Sequence, residues 1–365
     1  MKNFIIDILD DHFTEDIAKQ VYTSSYLLQY LDKKTKSVNR SSKARGSYAN
    51  LYAIYVLIED YIKKGFLDKT TDYSTYDGLI FTEALRRIRE LPFGAKIQNH
   101  ALNNRCNDEF RKFFNTYTNE VPIIRNLVTK RYWINETLLK IDIGDQVINI
   151  APICNEIVEK YVDLKMINFN TFFDDLIGLK KIVATNPDSV VEYVSELLNP
   201  NSDARIFEIV SYVIIKYHFI TQKITYSIND EKEHSVPLMV YKVGRTNAND
   251  GGIDYIMKPL GRIFQVTEVL DFRKYFLDID KLIHYPITFV VKQDIEPTKA
   301  MERIVNDAQI NYSDPSILNS YISSFEEIIT IPTLKKMLIT NITKGFLTEM
   351  VDELIVQCKV EYNIE

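Results

Sequence analysis

Scarcity sets the first bounds. The 365-residue chain has three cysteines, Cys106, Cys154 and Cys358, widely separated and in no CxxC pair, so a disulfide framework is not expected. Its five histidines, His12, His100, His218, His234 and His284, show no spacing with each other or with cysteine that would make a zinc site. Glycine and proline number only 11 each, which excludes a collagenous or low-complexity chain. No apolar run approaches the ~20 residues that a membrane-spanning helix needs, and residues 1–7 reach Asp7 before an export-signal core can develop. A cytoplasmic address without membrane contact is expected. Internal repeats are also lacking, which sets solenoids aside.

What is present fits an ordinary globular chain. With 46% hydrophobic and 26% charged residues, 365 residues can bury a sizeable core and suggest two domains. The net charge of −6 argues against indiscriminate coating of polyanions. It leaves room for local basic grooves, and for clustered carboxylates that hold a metal.

Residues 1–200 read as mainly helical. Apolar residues 51–58 run on to Lys63, Lys64 and Gly65, where basic residues and then glycine suit a helix C-terminus. A second helix is predicted over 82–91, stopped by Pro92, and a hairpin over 138–150. The polar run 99–105 reads as a solvated helix or loop. Asn199, Pro200 and Asn201 form a strong break, which puts a domain boundary near 200. Beyond it, Asp203 caps a helix over 204–219, and β-like runs follow at 236–243, 252–257 and 262–269. A helix over 272–284 and a β-branched run at 287–291 complete the order αβββαβ. This predicts an α/β (α+β) core with a mixed sheet over 201–300. Residues 301–365 read as a helical extension, with amphipathic stretches at 316–331 and 334–360.

The strand ends carry the chemistry. Asp254 opens the second strand behind Gly251 and Gly252, where the backbone can approach a ligand closely. Gln265 lies on the next strand and shares a face with Thr267, while Val266 and Glu268 take the other. Glu208 is a carboxylate set into an otherwise apolar helix face, costly to bury alone. Together Asp254, Glu208 and Gln265 offer oxygen donors of the kind Mg²⁺ prefers. Each also has a plain structural reading: Asp254 as a turn residue, Gln265 on an edge strand, Glu208 paired with Arg205 or Lys216.

Phe207-Glu208, Gly251-Gly252-Ile253-Asp254 and Gln265-Val266-Thr267, in this order, resemble the PD-(D/E)xK nuclease superfamily and, within it, Mrr-like restriction endonucleases with Gln in place of the strand Glu. The likeness covers about residues 203–292. It implies a Mg²⁺-dependent type II restriction enzyme that hydrolyses phosphodiester bonds of double-stranded DNA, works as a homodimer and needs no nucleotide cofactor. By that likeness Asp254, Gln265, Glu208 and Glu268 are the catalytic candidates, and the first three the metal ligands. The family's lysine is replaced by Thr267, so Glu268, Lys274 or Lys242 would have to supply what it does.

DNA contacts are expected from the densest basic segment, Lys33, Lys34, Lys36, Arg40, Lys43 and Arg45, where cations alternate with hydroxyl and amide donors. A solvated interhelical loop is the equal alternative. Arg245 and Asn247, just before Asp254, are placed to meet the strand being cut. Arg86, Arg87 and Arg89 form another cationic cluster. Residues 1–200 would then serve DNA recognition.

Overall fold

The computed structural model describes residues 4–36, 44–68, 72–95, 97–227, 233–243, 252–312 and 314–362. Helices and several small sheets alternate along the chain, which divides into two units, Met1–Phe172 and Phe173–Glu365. No described helix is long and apolar enough to cross a membrane.

The first unit holds α1 (Phe4–His12), α2 (Glu15–Ser24), α3 (Tyr26–Thr35), α4 (Ala44–Lys63), β1 (Leu79–Ile80), α5 (Phe81–Glu90), α6 (Cys106–Phe114), β2 (Ile123–Asn126), β3 (Arg131–Ile134), β4 (Lys140–Ile143), β5 (Gln146–Asn149) and most of α7 (Ala151–Ile182). α4 is buried without interruption from Leu51 to Ile58, because its run of apolar residues leaves no polar face there. The core is rich in tyrosine, whose rings fill space while the hydroxyls find acceptors, as Tyr52 does at the Pro92 carbonyl (2.6 Å) and Tyr61 at Glu136 (2.8 Å). β3 sits between β1 and β2, and β4 pairs with β5 as the predicted hairpin.

In the second unit come α8 (Pro187–Glu196), α9 (Ala204–Phe219), β6 (Lys223–Tyr226), β7 (His234–Pro237), β8 (Met239–Lys242), β9 (Tyr255–Lys258), β10 (Arg262–Thr267), α10 (Phe272–Lys281), β11 (Ile287–Val291), α11 (Pro297–Asn311), α12 (Pro315–Ile322), β12 (Phe325–Thr330), α13 (Ile331–Thr343) and α14 (Leu347–Tyr362). Asp203 caps α9 as expected, accepting from the amides of Arg205 (2.8 Å) and Ile206 (3.4 Å). The sheet runs β12-β11-β10-β9-β8, with β8, β9 and β10 antiparallel and β10, β11 and β12 parallel. Strand alternation separates two layers. Tyr255 and Phe264 face α9, where the Tyr255 hydroxyl meets Ser211 (3.1 Å) and the Glu208 carbonyl. Ile263, Phe289 and Val291 face the other way, in one apolar cluster with Tyr275, Phe276 and Ile279 of α10.

Three expectations are corrected. The division falls at 172/173, inside α7, and not near 200; Asn199 and Pro200 interrupt helices within the second unit. Residues 301–365 are no extension, since β12 pairs with β11, and α13 and α14 pack on α9 through Asn341 to the Ile214 carbonyl (2.9 Å) and Lys216 to Glu353 (2.9 Å). Part of the predicted helix over 316–331 is β12: its apolar spacing suits either period, and the open edge of β11 selects the strand.

Candidate active site at the strand ends

Asp254 closes the β9–β10 ladder. Its amide donates to the Phe264 carbonyl (3.0 Å), and its own carbonyl accepts from Val243 (2.9 Å). The carboxylate Oδ2 accepts from the Val266 amide at 2.7 Å. A strand amide there needs an acceptor, and the chain turns away at Gly252, so the side chain supplies what a backbone carbonyl otherwise would. The plain role and the chemical one thus share an atom group: Asp254 is a strand cap and also a charge held in place.

Gln265 comes to the same strand ends on the α10 face. The nearest atom to a Cβ built on Gly252 is Gln265 Oε1 at 3.2 Å, and Asp278 Oδ1 of α10 follows at 3.7 Å. Gly252 has φ +81°, in the left-handed region, so glycine meets both a backbone and a space requirement. Asp278, 4% exposed, takes the Lys281 ammonium at 2.7 Å. Two residues along β10, the buried Thr267 hydroxyl accepts from Lys274 Nζ at 2.9 Å. Lys274 thus brings an ammonium from α10 to the Thr267 hydroxyl. Sequence reasoning named Lys274 only as a reserve and missed Asp278. The signal was available: 274, 278 and 281 are spaced i, i+4, i+7 and share a helix face.

Glu208 and Glu268 belong to the α9 side. Glu208 Oε1 is 3.3 Å from Lys242 Nζ, and the Arg205 charge also acts on it, while Lys216 pairs with Glu353. Burial pushes its carboxyl above the usual range, opposed by the Lys242 charge. Glu268 Oε1 lies 3.1 Å from Lys292 Nζ, which also donates to the Ser202 carbonyl and is almost wholly buried. The sheet therefore does not bring Glu208 and Glu268 to Gln265. Lys292 was missed because its role depends on pairing β11 beside β10.

Among the described residues, no group of three or more His, Cys, Asp or Glu side chains is placed to hold a metal ion. Mg²⁺ makes a smaller demand, one or two carboxylates with waters and substrate phosphate oxygens. Asp254 with the Gln265 amide suits that sparse donor set. Glu208, engaged with Lys242 on the other face, does not join it.

The basic candidates divide unevenly. Lys34 is buried, its ammonium 2.7 Å from Glu109, and that fixed pair removes it from the cations offered to DNA. Lys33 is exposed over the Phe113 ring at 4.8 Å, and Lys36 is exposed. Arg40, Lys43, the side chain of Arg45, Arg245 and Asn247 lie outside the described residues. Arg87 grips Glu59 with two hydrogen bonds (2.9 and 2.8 Å) and Arg89 holds the Ile97 carbonyl (3.2 Å), so two of that trio serve the fold.

No protein-family model, curated protein or solved structure matches this chain.

Proposed function

We propose that the protein is a Mg²⁺-dependent endonuclease that hydrolyses phosphodiester bonds of double-stranded DNA, on an αβββαβ core of the PD-(D/E)xK type. The observation that carries the reading is that Asp254, Gln265 and the Lys274–Thr267 pair lie at the same end of β9 and β10, with Lys274 on Thr267 standing in for the strand lysine.

Asp254 and Gln265 would hold the metal. When bound, Mg²⁺ lowers the pKa of a coordinated water and offsets charge on the phosphoryl oxygens. The Val266 amide fixes the Asp254 carboxylate, which keeps further lone pairs after accepting one hydrogen bond. Lys274, positioned by Thr267, offers its positive charge to the phosphate as negative charge accumulates in the transition state. Gly252 leaves the approach beside Gln265 free of a side chain. Cutting both strands at a symmetric site calls for two such centres, hence a homodimer.

Supercoiled plasmid incubated with the protein and Mg²⁺, against an EDTA control, tests the reading. Discrete linear fragments support a sequence-specific restriction enzyme; a smear or nicking supports a repair or mobile-element nuclease. Salt-sensitive retention without cutting would overturn catalysis. That outcome corresponds to a second reading, a DNA-binding module on the same scaffold, which is favoured by the lack of a three-acid cluster among the described residues.

A further inference from the structure

The polar run 99–105 forms an open cleft of about 620 Å³ in the first unit. Residues Ala101–Arg105 make one π-helical turn leading into α6, anchored by buried Ala101 and Leu102. Such turns recur at functional sites because the widened backbone re-aims side chains. Here the turn is held from behind: Arg125 donates to the Asn103 carbonyl and to Asn104 Oδ1, and the Tyr132 hydroxyl donates to Asn103 Oδ1 (3.1 Å). Both amide oxygens are thereby used internally. What each asparagine leaves for the cleft is its Nδ2, a pure donor without a partner among the described residues.

The charges in the cleft sort the same way. Glu109 is engaged by Lys34 at Oε1 (2.7 Å) and by Asn50 at Oε2 (2.6 Å), and Asp108 takes Arg111 (3.2 Å). Two lining cations, Arg105 and Lys112, are exposed and have no ion pair among the described residues. The surplus is two positive charges and two amide donors, facing solvent in one concave surface.

We infer that this cleft is the first unit's nucleic-acid contact, seating backbone phosphates of duplex DNA on Arg105, Lys112, Asn103 and Asn104. The choice of DNA rests on the nuclease reading. Phosphate oxygens are acceptors with negative charge, the complement of the two cations and two amide donors that remain once Asp108 and Glu109 of the lining are paired with Arg111 and Lys34. Recognition then centres on the π-turn and α6, where sequence reasoning had put it in the segment around Lys43.

The test is fluorescence anisotropy of a labelled 24-base-pair duplex with the full chain in EDTA, across a salt series, comparing wild type with Arg105→Ala/Lys112→Ala and with Asn104→Asp. Both substituted cations are exposed, and Asn104→Asp keeps the oxygen that Arg125 holds while removing the outward donor, so the fold is retained. Losing two phosphate contacts should weaken binding roughly tenfold and reduce the slope of log affinity against log salt by about 1.8. Asn104→Asp should also weaken binding. Unchanged affinity and slope in both variants, no duplex binding by wild type, or displacement of the duplex by micromolar ATP would each overturn the inference. Weakened variants of a wild type that never cuts plasmid would sustain the cleft and sink the nuclease; unaffected variants of a wild type that does cut would do the reverse.

Discussion

Replacing Gly252 by alanine probes the strand end where backbone and site chemistry coincide. An L side chain at φ +81° carries a left-handed penalty of about 1–2 kcal/mol. The added methyl would also sit 3.2 Å from Gln265 Oε1, tighter than ordinary contact, so the amide must shift by a few tenths of an ångström. In a unit the size of Phe173–Glu365, each kcal/mol lowers the melting temperature by roughly 2–4 °C, which puts the loss at about 2–8 °C. Gly261→Ala is the control. It has φ +70° and a Tyr285 hydroxyl 3.1 Å from its would-be Cβ, but lies at the far turn of the β9–β10 hairpin. Calorimetry should show comparable losses for the two variants, and plasmid cleavage under saturating Mg²⁺ should fall at least about tenfold for Gly252→Ala alone, because a displaced donor amide spoils a geometry on which catalysis depends steeply. Equal cleavage by both variants would refute a functional role for the Gly252–Gln265 contact, and an unshifted melting point for Gly252→Ala would refute the strained turn.

Three further outcomes follow from the same geometry. Lys34→Met leaves Glu109 with Asn50 alone; breaking a buried pair costs about 3–5 kcal/mol, and because Glu109 is 27% exposed the expected loss is nearer 1–3 kcal/mol in urea unfolding. No loss would mean the pair is solvated. Burial raises the Glu208 carboxyl above its ordinary 4.5, so the folded state holds this proton more tightly than the unfolded state does: its contribution is complete below that value and is lost as pH rises through the raised one. Melting curves should show wild type losing stability relative to Glu208→Gln over that window, with a gain contradicting the sign. Lys274→Ala should slow single-turnover cleavage by roughly 10²-fold or more if its charge meets the phosphate, with Lys274→Arg restoring part of the rate; equal rates for all three would remove it from the site.

Within residues 204–291, α9, β9, β10, α10 and β11 were legible because their signals are local, whereas β6 was not foreseen and the run expected at 236–243 divides between β7 of a separate hairpin and β8. Asp203 caps α9, Gly261 ends a hairpin, and Ile287–Val291 is too short and β-branched for a helix. The alignment of Asp254 with Gln265 follows from counting strand residues, since Phe264 faces Tyr255. What stayed hidden depends on partners far along the chain. Lys34 looked like a free cation, and Glu109, 75 positions away, neutralises it. Phe325–Thr330 could only become a strand once β11 offered an edge, and the π-turn at Ala101–Arg105 leaves no period of its own in so short a run. The masking of Glu208 by Lys242 is likewise a matter of which strand lies under α9.

Asp254→Asn tests the central claim most directly, because an asparagine oxygen can still accept from the Val266 amide while the negative charge is gone. Measured as single-turnover plasmid cleavage with Mg²⁺, alongside a melting curve and duplex binding, the variant should keep its stability and its DNA affinity and lose at least about 10²-fold in rate, as expected when a group that stabilises the transition state is removed. Cleavage at the wild-type rate would show that this carboxylate is only a strand cap, and the hydrolytic account would fall with it.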